Sequence, residues 1–75
     1  MKKVRAGLYK SNEWYLENLE ALGLWALYPA ALYCTTWATD YGLYQSKADA
    51  VAGFDSFTQS EEGQAGLNLA YRMTH

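Results

Sequence analysis

"EWYLENLEALGLWAL", Glu13 to Leu27, decides the fold, because it satisfies two periodicities at once. Read as a helix, it has the Leu, Glu and Ala content of a good helix former, Asn12 ahead of it as a cap, and Leu16, Leu19 and Ala26 at helical spacing. Read as strands, it is dense in Trp and Tyr, broken at Gly23, and followed by Pro29. Propensity alone leaves residues 13–28 open between the two. The aromatic density and the two breaks tip the reading to a strand over about 13 to 19, a turn at "EALG", Glu20 to Gly23, and further strands in "LWALY" and "ALYCTTW".

The flanking segments extend the same pattern. In "KVRAGLY", Lys3 to Tyr9, Val4, Ala6 and Leu8 alternate with Arg5, Gly7 and Tyr9, the period of a half-buried strand. "KSN" can turn the chain, since Asn12 tolerates left-handed backbone angles. In "SKADAVAGFDSF", Ser46 is placed to cap a helix with Asp49 in its favourable first turn, and Ala50, Val51, Phe54 and Phe57 fall on one side. The tail is again divided. Leu67, Leu69, Tyr71 and Met73 alternate with polar or small residues as in an edge strand, whereas Glu61 and Glu62 before Arg72 and His75 follow the charge order of a helix. Gly63 and Gly66 shift the balance to the strand. The expected fold is α+β: one domain over 1–75, a small antiparallel sheet of three to four strands, and one helix at about 47–58 packed on one face.

At 75 residues and 8.5 kDa the chain is close to the size at which a single core gives only modest stability. Its one cysteine, Cys34, excludes an intrachain disulfide, and Cys34 with the single His75 cannot fill a four-ligand zinc site, so no cofactor or metal is expected. The start "MKKVRAGLYKSNEW" lacks the apolar run of a signal peptide, and the unpaired thiol suits a reducing cytoplasm. Nineteen uncharged residues separate Glu20 from Asp40, about the length of a membrane span, but Gly23, Pro29 and three threonines interrupt them and the mean hydropathy is −0.28. No membrane role is expected.

Catalysis finds little to work with. A Ser or Cys nucleophile needs a positioned base, and the only histidine is the terminal residue. Carboxylates could act in pairs as in sugar hydrolysis, yet so short a chain leaves little room for a cleft that would raise one pKa. The glycines in "AGL", "LGL" and "YGL" are isolated and form no phosphate loop. The chain is therefore read as no enzyme.

Charge and aromatic residues point to binding. Four of the six basic residues lie within the first ten positions, while residues 11–46 contain Glu13, Glu17, Glu20 and Asp40 and no Lys or Arg. Eight of the twelve aromatics fall in that acidic stretch, which separates stacking rings from cations and argues against a nucleic-acid partner. On the expected second strand Trp14 and Leu16 share one face, and Glu13, Tyr15 and Glu17 share the other. With Asp40 and Tyr41 they are expected to form an acidic aromatic patch for a protein partner that is basic or presents Arg. A second copy of the chain is compatible with such a surface. The alternative is a carbohydrate-binding module in which Trp and Tyr stack on sugar rings while Glu and Asp bind hydroxyls.

In size, charge and aromatic style the whole chain resembles the small phage-encoded inhibitors of bacterial defence, of which anti-CRISPR proteins are the best-known group. The resemblance implies a compact domain without catalytic motifs that occupies a basic nucleic-acid channel or a subunit interface.

Overall fold

The computed structural model describes residues 1–33 and 41–74. Strands β1 (Lys2–Arg5), β2 (Leu8–Ser11), β3 (Trp14–Leu19), β4 (Leu24–Pro29) and β5 (Gly42–Tyr44) form one antiparallel sheet in chain order, and helices α1 (Lys47–Gln59) and α2 (Glu61–Thr74) follow. The α+β class holds, with five strands in place of three to four and two helices in place of one. Short turns make every early strand pair with its predecessor. Asn12 takes the left-handed φ of 54° that a two-residue hairpin needs, and Ser11 thereby pairs with Trp14. Gly23, at φ 67°, closes the turn between Leu19 and Leu24, where the Leu22 and Gly23 amides donate to the carbonyls of Leu19 and Glu20. The strand reading of the opening stretch is thus the correct one.

The sheet is covered at its centre on both faces. On one face Trp14, Leu16 and Leu27 pack with Ala50 of α1 and Leu67 of α2, and Tyr9, Trp25, Tyr44, Phe54 and Phe57 surround them. On the other, Ala26 and Tyr28 pack with Ala70 of α2 and with Leu32, which lies in a short 3-10 turn over Ala30–Leu32. The expectation of a single helix on a single face is corrected accordingly: α1 covers one face, and α2 contributes Leu67 and Ala70 to opposite cores. The strand predicted in "ALYCTTW" gives way to that 3-10 turn at its start, and its residues 34–37 lie outside the described residues.

The helix ends follow from local chemistry. Ser46 Oγ accepts the Asp49 amide at 3.1 Å, the expected cap. Ala50 is buried and Phe54 and Phe57 join the core, but Val51 is half exposed, because α1 presents a narrower stripe to the sheet than i+1 spacing requires. Ser60 then serves both helices: its hydroxyl donates to the Phe57 carbonyl at 2.6 Å and accepts the Gly63 amide at 3.0 Å. The preference for an edge strand in the tail is overturned. Gly63 lies against the Phe57 carbonyl and Gly66 against the Tyr41 ring, so these glycines permit close approach of a helix and do not break it.

Candidate functional site

The five residues expected to form one acidic aromatic patch are distributed by the fold. Tyr15 and Glu17 share a face of β3, as the alternation requires. Glu13 belongs to the Asn12–Glu13 turn and lines a groove on the helix-covered side. Tyr41 is only partly exposed; its hydroxyl donates to the Gly66 carbonyl at 3.0 Å, which ties the entry to β5 to α2. Asp40 lies outside the described residues, as do Cys34 and His75.

Glu17 also faces a cation that the sequence keeps twelve positions away. Its Oε2 accepts from Arg5 Nη2 at 3.3 Å and its Oε1 accepts the buried Tyr28 hydroxyl at 2.7 Å. Arg5 donates in addition to the Tyr33 hydroxyl at 3.4 Å. That hydrogen bond and the charge interaction with the same phenol, ahead of Glu17, raise the Arg5 pKa above its ordinary value. Tyr15 completes the cluster with edge-on contacts to Tyr28 and Tyr33, ring centroids 6.0 and 5.1 Å apart. On the opposite face Lys47 lies 3.8 Å from the Tyr9 ring centroid, and hydrogen bonding to Lys47 holds the Tyr9 phenol below its usual pKa.

Two grooves flank the Asn12–Glu13 turn. The first, about 280 Å³, has Glu13, Asp55, Gln59 and Gln64 among its polar lining, with Trp14 and Phe54 as its apolar wall. Trp14 is only 4% exposed, so it offers no open ring face to the groove. Phe54 is partly exposed, packed between the core and the groove. Thr58 and Gln64 are held by backbone partners, the Phe54 carbonyl at 2.8 Å and the Thr58 carbonyl at 2.7 Å, which fixes the helical wall. This groove places two carboxylates beside apolar surface, the arrangement that receives a long cationic side chain.

The second groove, about 570 Å³, is lined by Lys2, Lys3, Val4, Lys10, Asn12 and Tyr15. Sequence reasoning missed Asp55 in the first groove, and the expected separation of the N-terminal cations from the aromatic rings is corrected in the second, where Lys10 Nζ lies 5.7 Å from the Tyr15 ring centroid. Only a strand register and a helix docking bring these groups together. Among the described residues, no cluster of three His, Cys, Asp or Glu could hold a metal ion, and no helix is long and apolar enough to cross a membrane. No protein-family model, no curated protein and no solved structure matches the chain.

Proposed function

We propose that the chain is a non-catalytic protein-binding module that takes an arginine side chain of a basic partner into the groove between Glu13 and Asp55. The observation that carries this reading is the pairing, in one groove, of the Glu13 and Asp55 carboxylates with the partly exposed Phe54 ring. A guanidinium matches a carboxylate through parallel charge-assisted hydrogen bonds, and its aliphatic stem packs on apolar surface. Arg is also enriched among the side chains that dominate interfaces. The form implied by the sequence resemblance, an inhibitor that blocks a basic or nucleic-acid-binding surface of a bacterial defence complex in the cytoplasm, fits a module of this kind.

Carbohydrate binding is a second reading of the same groove, favoured by the Gln59 and Gln64 amides beside the two acids. The burial of Trp14 weighs against it, since sugar rings stack on open aromatic faces.

Titration of the isotope-labelled chain with an arginine-containing peptide and, separately, with a glycan panel tests both. Saturable shifts at Glu13, Phe54 and Asp55 that vanish in Asp55→Lys are expected for the peptide. Peptide shifts that persist in both Glu13→Lys and Asp55→Lys refute the proposal, and a glycan response without a peptide response favours the second reading.

A further inference from the structure

The fold sharpens the charge segregation of the sequence. Lys2, Lys3, Arg5 and Lys10 belong to the β1–β2 hairpin, and Lys47 reaches over Tyr9 of β2, so five of the six basic residues surround one ribbon at the edge of the sheet. Strand pairing then sets cations beside a ring. Lys2 is the cross-strand partner of Lys10, and Lys10 is the cross-strand partner of Tyr15, so the three side chains form a row on one face. Lys10 Nζ lies 5.7 Å from the Tyr15 ring centroid. Arg5 is engaged by Glu17 and Lys3 pairs across the strands with Tyr9 of the opposite face, which leaves Lys2 and Lys10 as the cations beside Tyr15 in the open groove.

We infer that this second groove binds single-stranded nucleic acid, with the lysines on consecutive phosphates and an unpaired base against Tyr15. Two ammonium groups side by side, Lys2 and Lys10, select a polyanion, and the partly exposed tyrosine at the end of their row selects one that carries flat rings. An acidic peptide satisfies the lysines alone. A duplex offers phosphates but keeps its base faces stacked inside. A second copy of the chain is disfavoured at this edge, because antiparallel pairing of two β1 strands sets Lys2, Lys3 and Arg5 against their own kind. The site lies across the turn from the Glu13–Asp55 groove and does not depend on what that groove binds.

The test is fluorescence anisotropy of the full chain with a labelled oligothymidylate of about 12 nucleotides, a matching duplex and a polyglutamate peptide over a range of salt. The single strand is expected to bind in preference to both competitors, with a slope of log K on log salt of about −1.4 for two phosphate contacts. Lys2→Gln with Lys10→Gln is expected to reduce that slope by more than half. Tyr15→Leu is expected to weaken binding by at least about fivefold, and Tyr15→Phe to retain it. Should Tyr15→Leu fail to fold, the exposed lysine pair decides alone. Absence of binding at low salt, equal binding of the duplex or the peptide, or an unchanged slope in the lysine variant would each overturn the inference.

Discussion

Gly63→Ala separates a packed α2 from a free one by the sign of its effect. In an exposed helix interior, replacing Gly by Ala is stabilising by about 1 kcal/mol, because Ala loses less backbone entropy. In this structure the added methyl meets the Phe57 carbonyl, a backbone atom in the last turn of α1 that already accepts the Ser60 hydroxyl and the Ser60 amide. Neither the carbonyl nor the glycine can yield without opening the junction between the helices. Overpacking of this kind costs about 1–3 kcal/mol, and with the propensity gain of about 1 kcal/mol subtracted a net loss of up to about 2 kcal/mol remains. Urea denaturation followed by circular dichroism reads the change. For a urea m-value of about 1 kcal/mol/M, the midpoint falls by up to about 2 M. Ala65→Gly, at an exposed position of the same helix, serves as the companion and loses about 1 kcal/mol through propensity alone. A Gly63→Ala variant more stable than the wild type would refute the docking of α2 onto the end of α1.

Ser46→Ala removes the acceptor of the Asp49 amide and is expected to lower stability by about 1 kcal/mol in the same denaturation assay, with an unchanged midpoint counting against a helix start there. Arg5→Gln and Glu17→Leu should differ in cost. The Arg5 side chain of the Arg5–Glu17 pair is 52% exposed, so solvent screens the pair and Arg5→Gln costs little. Glu17→Leu also removes the charged acceptor of the buried Tyr28 hydroxyl and costs about 1.5–3 kcal/mol. Equal losses in thermal melts of the two variants would show that the Tyr28 bond contributes little.

What was legible in the chain was local. The break at Gly23, the alternation through Trp14, Tyr15 and Leu16, and the Ser46 cap each depend on the backbone preferences of a few adjacent residues, and each appears where the sequence places it. The tail was illegible for the opposite reason. Gly63 and Gly66 weaken a helix by propensity, yet they are the positions where α2 touches Phe57 and Tyr41, contacts with residues outside the segment. The buried Gly63, Leu67 and Ala70 do follow helical spacing, but Leu67, Leu69, Tyr71 and Met73 imitate a strand equally well.

The grooves show the same division. Composition determines that the chain carries many aromatics and that its cations crowd the N-terminal end, and alternation determines that Tyr15 and Glu17 share a face. Which charges meet which rings is decided only by tertiary structure. The left-handed Asn12 fixes a two-residue turn, the turn sets Lys10 opposite Tyr15, and the return of the β1–β2 hairpin sets Arg5 against Glu17. A slip of one residue in that register would carry each side chain to the opposite face, so the electrostatic character of both grooves is a property of strand pairing and helix docking, which no single segment contains.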